Sequence, residues 1–201
     1  MSEKDFRERS KISPQMEESL LALAGIPKRY RSADLADYPE FSPTFKQEAS
    51  YYIQGPVGSG KTHMLASMAK ERILSRWGQR KVLFTTAYKM LENIKAGFQK
   101  PDLRFLDDEE ESRIDSWVSQ YEDVPILAID DFGMDQVTDW RLGTMFSIIN
   151  HRYNEMMVTY LSSNMSLAVL AEKFDDRIAS RIYQMCNIIE LKKKDWRVEE
   201  P

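Results

Sequence analysis

The sequence predicts an α/β protein with a parallel, doubly wound sheet, and three observations carry that reading. From Tyr51 onward, short β-branched, aromatic or apolar runs alternate with segments of helical periodicity. One run, Ile126-Leu127-Ala128-Ile129, is apolar without interruption, as expected of a strand covered on both faces. The first run leads directly into a glycine-rich stretch and then a helix, which puts a tight backbone turn at the carboxyl end of a strand.

Taken in order, Ser13-Pro14 reads as an N-cap followed by proline at the first helical position. Met16, Leu20, Leu23 and Ala24 fall near helical spacing, and Gly25 closes that helix. Ile26 to about Lys46 is loop-rich, punctuated by Pro27, Pro39 and Pro43. Tyr51 to Gln54 is the first strand and Thr62 to Trp77 the helix behind it. Val82 to Thr86 is the second strand, followed by helices over Tyr88 to Phe98 and Glu110 to Tyr121. The acidic run Asp107 to Glu111 is a solvated helix start without assigned chemistry. Leu142, Met145, Phe146, Ile149 and Tyr153 recur at helical spacing and give a core-facing helix over Trp140 to Glu155. Val158 to Ser163 and Asn187 to Leu191 complete a five-stranded sheet.

The chain has 201 residues, enough for one domain with a short appendage. Residues 1–45 are expected to form an N-terminal helix and linker, a candidate partner-docking segment, and 46–201 the main domain. No apolar run approaches the roughly 20 residues a bilayer demands. The charged start Met1-Ser2-Glu3-Lys4-Asp5 lacks the apolar stretch of a signal peptide. Cys186 is the only cysteine, which excludes internal disulfides and a cysteine-rich zinc module and gives the expectation of a cytoplasmic protein without a membrane partner. With a formal net charge of −4, any nucleic-acid contact must come from a local basic patch.

Gly55-Pro56-Val57-Gly58-Ser59-Gly60-Lys61-Thr62 spells G-x-x-x-x-G-K-T, the P-loop, in the strand–loop–helix setting the motif requires. The glycines let successive N–H groups point at phosphate oxygens, and the helix N-terminus adds partial positive charge. Lys61 is expected to reach the β- and γ-phosphates and the Thr62 hydroxyl to hold Mg²⁺, so the implied cofactors are ATP and Mg²⁺. His63 is carried with the nucleotide-contacting set by adjacency. Neither His63 nor His151 has a second ligand at metal spacing, so both rings read as structural or surface groups.

Phosphoryl transfer also needs a carboxylate for Mg²⁺ and a group to orient water. Ile126 to Ile129 runs into Asp130 and Asp131, and two carboxylates after a buried strand are costly unless they face a metal or emerge at the sheet edge. Asp130 is assigned to the metal side and Asp131 to polarising the water. Asn164, just after Val158 to Ser163, is placed beside these carboxylates to bond the γ-phosphate or water, the competing role being a turn or cap residue. Asp131-Phe132-Gly133 matches a kinase triplet, but the corresponding catalytic loop and strand lysine are missing.

With these elements in place, the chain resembles the AAA+ helicase loaders and transposition helpers of the DnaC/DnaI/IstB type over roughly residues 20–191. The resemblance rests on Gly25-Ile26-Pro27-Lys28-Arg29-Tyr30, Phe84 to Leu91, Ile129 to Gly133, Ile148 to Tyr153, Ser162-Ser163-Asn164 and Asp176 to Ile182. It implies an AAA+ core of the P-loop NTPase fold, ATP hydrolysis, and Asn164 as sensor 1. It further implies that the Ile-Pro-x-Arg-Tyr segment, with Tyr30, lies near the adenine. Arg181 looks like the arginine finger that reaches a neighbouring subunit's nucleotide, with Arg177 supporting it. Their spacing of four places both on one helix face, and guanidinium suits γ-phosphate charge. The alternative is pairing with Asp175 or Asp176 on a solvated face. A finger acting in trans implies self-assembly through the ATP site and poor hydrolysis by the monomer.

Lys95 to Trp117 resembles the insertion that grips single-stranded DNA in initiator-type AAA+ proteins. Lys95, Lys100, Arg104 and Arg113 lie near Phe98, Phe105 and Trp117, although aromatics at such spacings often serve a core. The family's loaders usually carry a substantial N-terminal partner-binding domain, whereas only about forty residues precede the main domain here, so either helicase docking falls to the short N-terminal helix or the chain is a truncated or phage-type variant. After the last strand only Lys192 to Pro201 remain, so no C-terminal lid domain is expected, an absence the family shares. The implied function is an ATP-dependent loader for a replicative hexameric helicase, acting on single-stranded DNA. A transposition helper acting on duplex DNA with a transposase is the alternative. A small-molecule P-loop kinase is disfavoured by the Asp-Asp pair and Asn164, and a switch with negligible turnover is the non-enzymatic version.

Overall fold

The computed structural model describes residues 12–75, 81–98, 117–133 and 138–192. Ser13 caps the first helix, α1 (Pro14–Leu23), by accepting from the Met16 N–H at 3.2 Å, with Pro14 in the first turn. Three 3₁₀ turns follow, Lys28–Tyr30, Leu35–Asp37 and Ser42–Thr44, in the stretch predicted as loop. The core then alternates β1 (Ser50–Gln54), α2 (Lys61–Ser75), β2 (Val82–Thr86), α3 (Ala87–Phe98) and β3 (Ile126–Asp130). It continues with α4 (Asp139–Asn154), β4 (Val158–Ser163), α5 (Leu167–Lys173), α6 (Asp176–Met185) and β5 (Cys186–Glu190). Residues 117–122 are helical, and the remainder of the helix predicted over 110–121 lies outside the described residues, as does residue 77.

The five strands form one sheet in the order β2-β3-β4-β1-β5, with every pairing parallel. The predicted sheet is therefore present, each strand within a residue or so of its expected bounds. Strand side chains alternate between two cores. Tyr51, Ile53, Ile126, Ala128 and Tyr160 face the layer of α1 and α2. Tyr52, Leu127, Ile129 and Leu161 face the layer of α3, α4 and α6. Both sheet faces are covered, which is why the central strands read as continuous apolar runs. Among the described residues no helix is long and apolar enough to cross a membrane.

The edge strand β2 is partly closed by the chain leaving α1. The Phe84 N–H donates to the Ala24 carbonyl at 2.7 Å. Gly25 makes that approach possible: its φ is +87°, and a Cβ there would lie 2.4 Å from the Phe84 oxygen. The pairing satisfies an edge N–H and brings Pro27, Arg29 and Tyr30 to the carboxyl ends of the strands.

Arg152, fully buried at the end of α4, is the main polar support of the sheet's far side. Its Nε donates to Thr159 Oγ1 at 2.8 Å, and its terminal nitrogens donate to the carbonyls of Tyr121, Glu122, Val124 and Val158 at 2.6–3.0 Å. It thereby seats the chain entering β3 against the start of β4. Burial pulls its pKa down to about 10, so it remains charged at neutral pH. Replacing Arg152 with Met should strand these buried carbonyls and lower unfolding stability by about 3 kcal/mol or more, measured by urea denaturation.

Candidate functional site

In open parallel sheets ligands bind at carboxyl ends of strands where the connections part. Here β1 sends the chain to one edge of the sheet and the adjacent β4 sends it to the other. The P-loop leaves β1 at this crevice. Its first N–H, that of Gly55, donates to the Ser163 carbonyl at 3.3 Å, which anchors the loop to β4. There is no room for a side chain at Gly55, because a Cβ would lie 2.6 Å from the Leu191 oxygen and 2.8 Å from Ser59 Oγ. Gly58 and Gly60 adopt left-handed φ values of 83° and 89°, which turn the loop into the N-terminus of α2. Lys61 is buried, and its Nζ donates to the carbonyls of Gly55 and Pro56 at 2.9 and 2.8 Å, so the ammonium lies across the loop.

The acidic half sits opposite. Thr62 Oγ1 donates to Asp130 Oδ1 at 3.2 Å, joining residues 68 apart in sequence. Ser162 Oγ donates to the same oxygen. Asp130 is 5% exposed, and burial pushes its carboxyl above the usual range. The Ser162 hydrogen bond opposes that rise, the neighbouring Asp131 charge adds to it, and the Thr62 hydroxyl again opposes it. A threonine hydroxyl and one carboxylate form an oxygen donor pair suited to Mg²⁺, which is commonly held by few protein groups plus phosphates and water. Among the described residues no cluster of three or more His, Cys, Asp or Glu side chains able to hold a metal occurs. When bound, the ion supplies charge neutralisation for the phosphates.

Asp131 takes the left-handed φ of 55°, an uncommon conformation that aspartate tolerates better than most residues. Its N–H donates to Ser162 Oγ at 3.2 Å and its exposed side chain lines the cleft. Asn164, the first residue beyond β4, lines the same cleft. The structure thus brings Lys61, Thr62, Asp130, Asp131 and Asn164 together.

The cleft has a volume of about 760 Å³, and its outer wall comes from the segment ahead of β1. Tyr30 and His63 both line it. Sequence reasoning missed Tyr38, whose hydroxyl donates to the Gly60 carbonyl at 3.1 Å and lies 3.0 Å from His63 Nδ1. His63 Nε2 is 3.7 Å from Asp37 Oδ2. An aromatic residue in a proline-rich loop carries no signal that it will reach the P-loop, so only the fold reveals the tie. His63 accordingly contacts the wall as well as the cleft.

Arg177 and Arg181 share a face of α6 but stand outside the cleft lining of their own chain. Their Cζ atoms lie 4.6 and 4.9 Å from the Phe146 ring centroid. Arg181 Nε donates to Asn150 Oδ1 at 2.5 Å, and Arg177 pairs with Asp175 at 2.8 Å. Of the predicted DNA-gripping set, Lys100, Arg104, Phe105 and Arg113 lie outside the described residues. The Trp117 ring packs against Gly97, where a Cβ would come within 2.5 Å of it. Cys186 is buried, and burial pushes its thiol pKa up.

Comparison with known proteins adds context to this geometry. The family model described as IstB-like ATP binding protein matches residues 42–200. The chain is 28% identical over 158 residues to the phage-like element PBSX protein XkdC of Bacillus subtilis (strain 168), covering 76% of this chain and 53% of that protein. It is 25% identical over 124 residues to the replicative helicase loader DnaI of the same strain, covering 61% of this chain and 35% of the relative. It thus spans about half or less of these relatives' length. Its fold is similar to the crystal structure of the DnaC helicase loader, with a TM-score of 0.64 at 21% identity, covering 83% of this chain and all of that one.

The raised pKa of Asp130 sets a stability trade-off. A carboxyl raised by burial contributes stability below the ordinary carboxylate pKa, and that contribution is lost as pH rises through the raised value. Above that raised value the buried Asp130 carboxylate is therefore a cost. Asp130→Asn, which keeps an oxygen for Thr62 and Ser162, should raise the melting temperature of the nucleotide-free protein at pH 7.5 and bring less gain at pH 4. It should also weaken Mg²⁺-dependent nucleotide binding by about tenfold or more, as read by calorimetry and fluorescent-nucleotide titration.

Proposed function

We propose that this chain, which belongs to the IstB-like ATP binding protein family, is an ATP-switched loader that assembles on single-stranded DNA and delivers or opens a ring-shaped replicative helicase. The observation that carries the nucleotide part is the Thr62–Asp130 contact facing the P-loop in one cleft. The helicase part is supported by the likeness to DnaI, named a replicative helicase loader, and by the shared fold with the DnaC helicase loader.

In this reading the loop N–H groups and Lys61 hold the triphosphate, while Thr62 and Asp130 hold Mg²⁺. Asp131 takes a proton from the attacking water, and Asn164 orients that water or the γ-phosphate. Tyr30 contacts the base from the outer wall, with His63 at the loop end of that wall. The position of Arg181 outside its own cleft supports a finger that completes the site of a neighbouring copy, with Arg177 beside it. Turnover is then coupled to assembly, and loss of the γ-phosphate loosens the contact that the finger makes. The basic and aromatic residues from Lys95 to Trp117 are the proposed single-strand contact, and the helix around Pro14–Leu23 the proposed helicase contact.

A second reading, consistent with membership of the IstB-like family, is a transposition helper that acts on duplex DNA with a transposase. Steady-state ATPase assays with a hexameric helicase, single-stranded DNA or duplex DNA separate the two. We expect weak turnover alone, stimulation by single-stranded DNA and helicase, and loss of nucleotide binding in Lys61→Ala. Arg181→Ala should retain binding but lower stimulated turnover by about 10³-fold, the scale of an arginine finger. Failure to bind the helicase or respond to single-stranded DNA defeats the loader reading, and a response to duplex DNA alone supports the second.

A further inference from the structure

We propose that Ser162 is a positioning residue that sets both carboxylates of the candidate active site, an inference that rests on the nucleotide-binding reading above. Ser162 is fully buried on β4, the strand standing between the P-loop strand β1 and the acidic strand β3. It is in register with Ile53 of β1, and the residue before it, Leu161, is in register with Ile129 of β3. Its side chain is thus delivered beside Asp130 by backbone pairing alone.

One hydroxyl makes two different bonds there. Its O–H donates to Asp130 Oδ1, and its oxygen accepts the Asp131 N–H at 3.2 Å. The first bond, together with the Thr62 hydroxyl on the same oxygen, holds the carboxylate by one edge. A carboxylate has about four lone-pair sites, so acceptor capacity remains for a hydrated cation. The second bond helps to hold Asp131 in its left-handed conformation, which directs the chain from the strand into the cleft wall. The backbone of Ser162 also accepts the Phe132 N–H at 2.7 Å. That bond does not depend on the side chain, so the hydroxyl can be removed with the turn still anchored.

A serine at the end of an apolar strand ordinarily satisfies a turn. Here the hydroxyl links the metal-side carboxylate to the backbone of the water-side carboxylate, so the positions of the two are mechanically coupled. Alanine at this position breaks both bonds while leaving the P-loop residues unchanged.

The test uses a fluorescent ATP analogue on the full chain, titrated with Mg²⁺ and separately in EDTA. Ser162→Ala should raise the Mg²⁺ concentration at half-effect by about tenfold, and leave affinity in EDTA within about twofold of wild type. Amide exchange followed by NMR should quicken at Asp131 and stay unchanged at Phe132. Ser162→Cys, close to isosteric but a weaker donor, should shift the Mg²⁺ midpoint in the same direction by less, and it serves if the alanine variant folds poorly. An unchanged Mg²⁺ midpoint in a folded variant overturns the proposal. So does an equal loss of affinity with and without Mg²⁺, which marks a general packing role. If wild-type protein itself binds no nucleotide, the site reading fails first, and the Asp131 exchange measurement still reports whether Ser162 holds that amide.

Discussion

The carboxyl end of β4 is the constraint on which the rest of the site depends. Its last residues bond outward on both sides. Ser163 accepts the first N–H of the P-loop, and its hydroxyl donates to the Phe132 carbonyl at 2.7 Å. Ser162 holds Asp130 and Asp131. Asn164 follows at once, on the cleft. The P-loop, the acidic pair and Asn164 are distant in sequence, and the parallel register of β1, β4 and β3 makes them neighbours. Because backbone hydrogen bonds fix that register, the geometry between Thr62 and Asp130 tolerates little slippage.

Function and stability pull in opposite directions at this point. A buried carboxylate is unfavourable without compensation, and hydroxyl donors from Thr62 and Ser162 offset only part of the desolvation. The lysine is treated differently: its ammonium is held by carbonyls of its own loop, so positive charge waits at the phosphate side. Local hydrogen bonds to Gly55 and Pro56 thus hold the ammonium close to the loop backbone. Arg152, by contrast, is buried with a set of carbonyl partners around its guanidinium.

The sheet was legible because burial on both faces leaves a strong signal: unbroken apolar runs of strand length, each followed by a helical period. The phosphate loop was legible because its backbone demands glycine at particular positions, as Gly58 and Gly60 display. What sequence could not show was contact made through space by ordinary residue types. Ser162 reads as a strand-end hydroxyl, Tyr38 as a loop aromatic and Arg152 as a charged residue late in a helix. Each acquires its role only from the strand order, which no local pattern encodes. The same holds for the three 3₁₀ turns ahead of β1, where proline and aspartate signalled turns but not the wall they build.

That wall is attached differently from the rest of the cleft. The acidic side lies at the end of β3, and the P-loop follows directly from β1. The segment from α1 to Tyr38 is joined to the domain through a few polar contacts. Among them are Phe84 to Ala24 at the sheet edge, Lys70 of α2 to the Arg31 carbonyl at 3.0 Å and to Glu17 at 3.0 Å, Tyr38 to Gly60 and His63, and His63 to Asp37. Leu21 and Ile26 add an apolar anchor beneath it. A ligand spanning the cleft would touch the P-loop at one end and this segment at the other, and Tyr38 bonds to the carbonyl of the residue just before Lys61. Tyr38, the Gly60 carbonyl and the His63 ring thus form one polar group where the segment meets the start of α2.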